Sequence, residues 1–366
     1  MKTASLEETG KLAADFTKGI SGYAKSIDRE IVIMEVCGTH TVALRKHGIH
    51  SLLPRNIRLV SGPGCPVCVT PASFIGNSLE LLENDKSVHI ATFGDMAKVP
   101  DDKGRTLSGY TGTGRVRIVY SPADLIALCA ETDGEVVFLG IGFETTIPAV
   151  ASTLLRAKKT GLANLSVYAC FKQVPPALLA LLSNPACDLD ALLLPGHVSA
   201  ILGLAPYQFI VENWHMPAVV AGFEGLDLLS AIFMIVRQLA SGRGTVENAY
   251  GRAVRNEGNV KALAIMREVF SPVTSLWRGL GTIPLSGLGL NNDFARFDAE
   301  RRFELPPLTD TEQDGCMCAE VIQGKTQPRD CPFYGSRCTP DRPVGPCMVS
   351  SEGACAAWFF YGDAPI

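Results

Sequence analysis

The sequence predicts an α/β fold built on parallel sheets, followed by a small cysteine-rich C-terminal domain. Short apolar segments rich in β-branched residues alternate along the chain with glycine- or proline-containing loops and then with helical stretches. This order is typical of parallel sheets, because a parallel connection needs a crossover helix. Six of the twelve cysteines lie after residue 315, where the alternation has already ended. We therefore expect a separate cysteine domain at the end of the chain.

Each predicted strand is a short apolar run, and most of these runs lead directly into a loop that carries polar or sulfur side chains. The carboxyl ends of parallel strands form the ligand crevice of open α/β sheets. We therefore expect the chemistry of this protein to lie in one cleft. The predicted strands are Ile31–Val36, Ile57–Val60, Val88–Thr92, Arg117–Tyr120, Val136–Ile141, Leu165–Cys170, Leu192–Leu194 and Ala218–Ala221.

Helices are expected after the loops. The segment 149–158 is predicted to be a helix, with Pro148 in its first turn and a threonine, Thr145 or Thr146, as its N-cap. From Leu276 to Pro307 the alternation gives way to glycine- and proline-containing segments. We place the start of the C-terminal domain there.

The composition excludes several classes of protein. With 366 residues, of which 47% are hydrophobic, the chain is long enough for two or three domains with buried cores. Its formal net charge is −4, its isoelectric point is about 5.9, and it has no basic run. Nucleic acid and anionic membranes are therefore not expected as partners. The expected partners are proteins and small molecules.

A cytoplasmic location is the default expectation. The N-terminal segment is charged and amphipathic and lacks the apolar core of an export signal. The longest apolar stretch, Leu228–Val236, is far shorter than the ~20 residues that span a bilayer. In a reducing compartment clustered cysteines usually indicate metal binding or catalysis rather than a disulfide framework.

The first thiol motif is Cys65-Pro66-Val67-Cys68, which follows a Gly-Pro-Gly turn. Two cysteines at this spacing can form a disulfide or share a metal, and a thiolate near a helix N-terminus is a better nucleophile. The alternatives are half of a structural zinc site, or inert thiols. A structural zinc site usually needs a second Cys-x-x-Cys, which is absent here. Redox or catalytic-metal use is therefore favoured.

Cys37 and His40 lie in a second motif, Cys37-Gly38-Thr39-His40. The thiol and the imidazole could be metal co-ligands, or a nucleophile with its base. A buried cysteine with a capping Thr39 explains the motif equally well on its own. Next to the Cys65/Cys68 loop, however, Cys37 becomes the third thiolate for an iron ion. Three thiolates leave coordination positions open for exogenous ligands.

The C-terminal cysteines are more numerous than a single metal ion needs. Four thiolates can hold a [4Fe–4S] cluster, and the prolines near these cysteines are typical of cluster loops. The preferred ligands are Cys318, Cys331, Cys338 and Cys355. Cys316 and Cys347 are substitutes or a second redox pair. A structural zinc ion bound by four cysteines is the competing interpretation, although the spacings exceed the usual zinc-finger intervals.

Four further side chains are candidates for proton chemistry. His197 follows a predicted strand and is expected to point into the cleft. Glu352 lies three residues before Cys355 and could relay protons. Glu144 and Glu224 occur in a repeated Gly-Phe-Glu element, but a solvated glutamate at a helix start explains either one more simply. No nucleotide-binding motif is present.

Taken together, the motifs resemble those of the HypD family of hydrogenase maturation proteins, over residues 30 to 361. Each motif alone is modest, but the combination is specific. The matching segments are 35–40 (EVCGTH), 62–68 (GPGCPVC), 142–146 (GFETT), 195–197 (PGH) and 343–355 (PVGPCMVSSEGAC). One departure is Ala319, at a position where glycine is more usual; it affects backbone freedom and leaves the sulfur ligands in place.

The resemblance implies a scaffold that assembles the Fe(CN)2CO unit of [NiFe] hydrogenases with the small chaperone HypC and with cyanide supplied by HypE. It implies that Cys37, Cys65 and Cys68 carry or reduce the iron fragment, with His40 beside them. The resemblance further implies a C-terminal [4Fe–4S] cluster that passes electrons toward Cys65 and Cys68, in an arrangement similar to ferredoxin:thioredoxin reductase. Such a protein is an assembly scaffold with redox-active thiols, without a clear turnover of its own.

The resemblance also implies two Rossmann-like α/β domains that face a cleft, plus the cluster domain. We expect an N-terminal domain over residues 1–118, a second domain over 119–305 and the cluster domain over 306–366. Two other functions stay open. One is a thiol–disulfide oxidoreductase in which the cluster reduces Cys65–Cys68 for a protein client. The other is a zinc-stabilised interaction protein.

Overall fold

The computed structural model describes residues 6–310 and 314–362. The predicted domain limits at residues 1 and 366 lie outside these residues. Within them the α/β class is confirmed, because the strands form two sheets in which parallel pairing predominates. The strands are β1 (Ile31–Glu35), β2 (Ile57–Ser61), β3 (Val88–Thr92), β4 (Val116–Ile118), β5 (Glu135–Gly142), β6 (Leu165–Lys172), β7 (Ala191–Pro195), β8 (Ala218–Ala221), β9 (Val246–Asn248), β10 (Phe270–Trp277) and β11 (Gly281–Leu290).

Helices connect these strands and cover the sheets, as expected for parallel crossovers. They are α1 (Leu6–Ala24), α2 (Gly38–Lys46), α3 (Ile49–Leu52), α4 (Ala72–Asn84), α5 (Gly94–Ala97), α6 (Asp124–Glu131), α7 (Ile147–Thr160), α8 (Val174–Leu182), α9 (Gly196–Leu202), α10 (Gln208–Trp214), α11 (Gly225–Ala240), α12 (Val260–Val269), α13 (Ala299–Arg302), α14 (Cys318–Ile322), α15 (Pro346–Val349) and α16 (Ala354–Tyr361). Short 3₁₀ segments occur at Leu107–Thr113, Ala205–Tyr207, Asn292–Phe297 and Pro328–Asp330.

The first sheet, sheet 1, has the strand order β2-β1-β7-β8-β9 and is parallel throughout. Its central strands are fully buried, as in a sheet covered on both faces. One face packs on α1 and α11, where Ile20, Ile232 and Ile235 are completely buried. The carboxyl ends of β1, β2, β7 and β8 therefore lie along one edge.

The second sheet, sheet 2, has the order β10-β11-β6-β5-β3-β4. Its pairs from β4 to β6 are parallel, whereas β11 pairs with β6 and β10 in antiparallel fashion. Helix α7 begins after Thr146, with Pro148 in its first turn as the sequence predicts, and its Ile147 and Val150 share a buried cluster with Val136 and Phe138 of β5.

The predicted boundary at residue 118 does not separate the two sheets. The chain builds β1 and β2 in sheet 1, passes to sheet 2 for β3 to β6, returns to sheet 1 for β7 to β9, and finishes in sheet 2 with β10 and β11. Both sheets thus combine strands from either side of residue 118. The alternation of strand and helix is a local pattern, and it does not reveal which sheet a strand joins.

The segment 276–307 was expected to start the C-terminal domain, but its first part belongs to sheet 2. The hairpin of β10 and β11 turns at Gly279 and Gly281, whose φ angles are +74° and +73°. Glycine adopts this left-handed backbone without strain. The glycines that interrupt the alternation here are therefore turn and close-packing residues of a hairpin.

The C-terminal cysteine region packs against the body of the protein. Helix α16 lies on α2, and the Arg45 guanidinium sits 3.3 Å above the centre of the Trp358 ring. Cys318, Cys347 and Cys355 belong to the same buried cluster as Met34 and Val60 of sheet 1. Among the described helices, none is both long and apolar enough to cross a membrane.

Candidate functional site

The carboxyl edge of sheet 1 brings together four loops, three of which carry predicted site residues. Cys37 follows β1, the segment 62–68 follows β2, His197 follows β7, and Phe223 follows β8. This edge is where a doubly wound sheet places its ligand crevice. Motifs more than 150 residues apart in the sequence thus become neighbours.

The Cys37 loop lies directly against the Gly-Pro-Gly turn. The backbone N–H of Gly38 donates to the carbonyl oxygen of Gly64 at 3.1 Å, and the N–H of Gly62 donates to Glu35 at 2.9 Å. A Cβ atom on Gly64 would overlap the backbone of Val36 and Cys37. Glycine at position 64 is therefore what allows the two thiol loops to touch.

Cys65 and Cys68 form a disulfide, with their Cα atoms 5.2 Å apart. The N–H of Cys68 also donates to the Cys65 sulfur at 3.2 Å. Both residues are nearly inaccessible, with 4% and 1% of their surface exposed. Of the two uses predicted for this spacing, the structure contains the disulfide, so Cys37 is the free thiol of this edge.

The Cys37 thiol is buried and is not activated by its surroundings. Burial, together with the nearby Glu352 carboxylate, raises the pKa of Cys37 to about 11. The group is therefore protonated at neutral pH. A bound metal ion favours deprotonation, because the thiolate is the form that coordinates.

His40 and His197 both pack against the Phe223 ring. The His197 ring stacks on Phe223 with centroids 3.9 Å apart, and the His40 ring is tilted at 4.8 Å. Burial lowers the pKa of His40 to about 4, so its imidazole is neutral at physiological pH. Nε2 of His40 lies 3.2 Å from the carbonyl oxygen of Ala221, whereas Nδ1 is buried and has no partner among the described residues. A neutral imidazole nitrogen without a partner is able to bind a metal.

Glu352 reaches this edge from the far end of the chain. Its Oε1 accepts a hydrogen bond of 2.6 Å from Thr39 Oγ1. The neighbouring Ser351 donates from both its backbone N–H and its hydroxyl to Asp95, which follows β3 in sheet 2. The C-terminal segment thus bridges the carboxyl edges of both sheets.

The two glutamates of the Gly-Phe-Glu elements have opposite environments. Glu224 is exposed and caps α11, as expected for a solvated glutamate at a helix start. Glu144 is fully buried, so that interpretation is wrong for this residue. Its Oε1 accepts from the N–H of Val174, its Oε2 has no partner among the described residues, and burial raises the pKa of Glu144 to about 7.

The C-terminal thiols form a second group. The Cys318, Cys347 and Cys355 thiols hydrogen-bond one another, and the bonds from Cys318 and Cys347 lower the pKa of Cys355. The Cys316 thiol bonds to Cys318, and the Cys338 sulfur accepts from the N–H of Val344 at 3.3 Å. Position 345 must be glycine for this packing, because a Cβ there would press on the sulfurs of Cys316 and Cys318.

This grouping differs from the predicted ligand set at two positions. Cys347, expected as a substitute, hydrogen-bonds to Cys318 and Cys355. Cys331, expected as a ligand, has no hydrogen bond from its thiol to another cysteine within the described part of the chain. The spacing of cysteines along a loop does not reveal which of them face one another.

Neither thiol group is arranged as a finished metal site. In residues 6–310 and 314–362, no three His, Cys, Asp or Glu side chains are placed to hold a metal ion. Cys65 and Cys68 are joined to each other, and the C-terminal thiols hydrogen-bond among themselves. Reduction in the first group and separation of sulfurs in the second would precede metal binding.

Sequence reasoning missed two side chains near these groups. The sequence singled out Phe223 only as a member of the repeated Gly-Phe-Glu element. The corresponding residue of the other copy, Phe143, stacks on Trp277 with ring centroids 6.1 Å apart. Arg278 follows Trp277 at the turn of the β10–β11 hairpin, is buried, and donates from Nε to the carbonyl oxygen of Thr70, two residues after Cys68. The run Trp-Arg-Gly-Leu-Gly, with an arginine among apolar and turn residues, was the available signal.

Comparisons with known proteins agree with these motifs. The family model described as "HypD: Hydrogenase formation hypA family" matches residues 11–362. The hydrogenase expression/formation protein HupD of Azotobacter chroococcum is 46% identical over 343 residues, covering 91% of this chain and 90% of the relative.

Two further relatives carry the name hydrogenase maturation factor HypD. That of Azotobacter vinelandii is 44% identical over 342 residues, with 91% of this chain and 90% of the relative covered. That of Escherichia coli K12 is 42% identical over 357 residues, with 97% and 95% covered. Both similarity and coverage extend over nearly the whole chain, and the chain therefore belongs to the HypD family of hydrogenase maturation factors.

Proposed function

We propose that this protein is a scaffold on which the Fe(CN)2CO fragment of [NiFe] hydrogenases is assembled and from which it is handed over. The observation that carries the proposal is the convergence of Cys37, His40 and the Cys65–Cys68 disulfide at one edge of sheet 1. Iron is the cargo of this site. The family membership supports the process, hydrogenase maturation.

The residues at the edge suit a soft, exchangeable iron site. Cys37 provides a free thiol, and reduction of the disulfide provides two more. The unpartnered Nδ1 of His40 is a further donor of intermediate softness. Such a set binds Fe(II) while leaving positions for cyanide and carbon monoxide, the ligands that the cargo acquires.

The C-terminal thiols suit a resident [4Fe–4S] cluster. Four of the sulfurs of Cys316, Cys318, Cys338, Cys347 and Cys355 match its all-thiolate requirement. A cubane keeps its ligands further apart than a single ion does, so thiols now in contact would separate around it. When bound, the cluster supplies single electrons.

The Cys65–Cys68 disulfide is the acceptor for such electrons. Its reduction consumes two electrons and two protons and yields two thiols. We propose His197 and Glu352 as the groups that move protons at this edge. His197 is exposed, and Glu352 is hydrogen-bonded beside Cys37 through Thr39.

The proposed partners are a HypC-type chaperone, which shares the iron, and HypE, which supplies cyanide. The proposed compartment is the cytoplasm. The net charge of −4 and the absence of a basic run are in keeping with protein partners rather than nucleic acid.

The deciding experiment is anaerobic purification of the full chain after co-expression with the other maturation proteins. We expect an absorption band and iron and sulfide content typical of [4Fe–4S], together with nitrile and carbonyl infrared bands from one additional iron. Absence of the infrared bands in a host that makes active hydrogenase contradicts the scaffold function. A colourless protein that contains zinc contradicts the cluster as well.

The observed disulfide favours a second candidate, a thiol–disulfide oxidoreductase in which the cluster reduces Cys65–Cys68 for a protein client. The variant Cys37→Ala separates the two functions. The scaffold loses its additional iron and the infrared bands in this variant. An oxidoreductase keeps its full rate of client reduction, because Cys37 takes no part in that exchange.

A further inference from the structure

Arg278 is a buried arginine that has no carboxylate partner within residues 6–310 and 314–362. Only 6% of its surface is exposed, and it forms no ion pair with a carboxylate among the described residues. Its Nη2 is completely buried and has no hydrogen-bond acceptor there. A buried guanidinium is strongly destabilising unless an anion compensates its charge. The position of this side chain therefore indicates that an anion belongs beside it.

One side of Arg278 is attached to the end of the Cys65–Cys68 turn. Its backbone N–H donates to the carbonyl oxygen of Val69 at 2.9 Å, and its Nε donates to that of Thr70 at 3.0 Å. The same turn is closed by Thr70 Oγ1, which donates to Pro66 at 2.8 Å. Arg278 thus fixes the backbone that immediately follows the disulfide.

The other side of the hairpin turn packs on α14, the helix that begins at Cys318. The residue after Arg278, Gly279, packs on Ala319, and its carbonyl oxygen accepts from Gln323 Nε2 at 2.7 Å. The sulfurs of Cys316 and Cys318 lie beside each other at the start of this helix, because a Cβ on Gly345 would touch both. The turn 277–281 therefore lies between the disulfide turn and the helix that carries Cys318.

We propose that Arg278 donates a hydrogen bond from Nη2 to an anionic sulfur of the C-terminal thiolate centre while Nε holds the disulfide turn against that centre. Arg278 is then a positioning residue for electron transfer between the two groups. The sulfur is a cluster ligand or a sulfide. This inference rests on the proposed [4Fe–4S] cluster.

The physical consequence is a raised reduction potential. Four thiolates carry more negative charge than a [4Fe–4S] core carries positive charge, and reduction adds one more negative charge. A cation in contact with the sulfurs therefore stabilises the reduced form more than the oxidised form. Hydrogen bonds to the sulfurs shift the potential in the same direction.

The test compares full-length R278Q and R278K with the unaltered protein and with R337Q, all purified anaerobically and analysed for iron and sulfide. Arg337 is a matched control, because it lies in the same cysteine region but is exposed. A redox titration followed by visible absorption measures the potential. For R278Q we expect the equilibrium constant for reduction to fall about tenfold, or about 59 mV for a one-electron couple. R337Q stays at the unaltered value.

An R278Q protein with a full cluster and an unchanged potential overturns the inference and leaves the proposed function intact. If R278Q does not retain its cluster, the inference is tested by the reduction potential of R278K. A lysine cannot bond to Thr70 and to the sulfur at once, so we expect a lower potential, and an unchanged one contradicts the inference. If the unaltered protein contains neither iron nor sulfide after anaerobic purification, the proposed function itself is contradicted.

Hydrogen exchange provides a second readout that needs no cluster. The amide hydrogens of Val69 and Thr70 bond within the disulfide turn, to Cys65 and Val67. They should exchange faster in R278Q than in R337Q, because the Thr70 carbonyl of the same turn loses the hydrogen bond from the Arg278 side chain. Equal exchange in the two variants contradicts the role of Arg278 in holding the turn.

Discussion

Thr39 and Glu352 are 313 residues apart in the chain, yet the Thr39 hydroxyl donates to the Glu352 carboxylate at 2.6 Å. Thr39 lies two residues after the free thiol Cys37, and Glu352 lies three residues before Cys355 of the C-terminal thiol group. The bond therefore ties the two sulfur centres together. A Cβ on the adjacent Gly38 would overlap the Glu352 backbone, which shows how close the approach is.

The variant Thr39→Val should loosen this contact. A hydrogen bond to a charged acceptor contributes about 1.5–3 kcal/mol, so we expect a loss of that order in the free energy of unfolding. Amide exchange should rise at residues 351–353. Thr39→Ser retains the hydroxyl and is the matched control. Denaturant midpoints that are the same for both variants would show that the bond contributes nothing.

Replacing Phe223 by leucine should release the two histidines. Each aromatic pair contributes about 0.5–1.5 kcal/mol beyond its buried area, and Phe223 pairs with both His40 and His197. We expect the NMR signals of both imidazoles to shift and the additional iron to bind more weakly. Phe223→Tyr keeps the stack and serves as the control. Unmoved signals in Phe223→Leu argue against a positioning role.

Glu144 should make the protein less stable as the pH rises. Its pKa is about 7 in the folded protein, against 4.5 for an unperturbed glutamate, so the folded state binds the proton more tightly. The stabilisation is complete below the unfolded value and is lost as the pH rises through about 7. The shift corresponds to a loss on the order of 3 kcal/mol between about pH 4 and about pH 8.

The variant Glu144→Gln removes this titration while keeping the shape of the side chain. We expect its free energy of unfolding to change less than that of the unaltered protein between about pH 4 and about pH 8, by the amount that Glu144 contributes. Urea denaturation at both pH values measures the difference. Parallel pH profiles of the two proteins contradict the burial of an ionisable Glu144.

Cys347→Ala should lower the iron and sulfide content more than Cys187→Ala does. Cys347 is completely buried and hydrogen-bonds to Cys318 and Cys355, whereas Cys187 is half-buried and lies outside this group. Iron and sulfide analysis with the visible spectrum of each anaerobic protein checks this. Full cluster content in Cys347→Ala removes Cys347 from the ligands.

Much of the fold and part of the site could be predicted from the sequence, because the relevant signals are local. Most β-branched apolar runs became strands close to the expected bounds, as for Val88–Thr92. The loops after β1 and β2 could be recognised from their Cys, Gly and His residues alone. The hairpin of β10 and β11 was not predicted, because its glycines were interpreted as the end of the alternation of strands and helices.

The sequence by itself determined the α/β class, the family and the thiol motifs. Only the tertiary structure decided that the chain passes back and forth between the sheets, that Cys347 pairs with Cys318 and Cys355, and that Glu144 is buried. It also placed the hairpin turn that carries Arg278 between the disulfide turn and α14. Backbone propensity and residue type act over a few neighbouring residues, whereas burial and side-chain contact depend on which distant segments pack together.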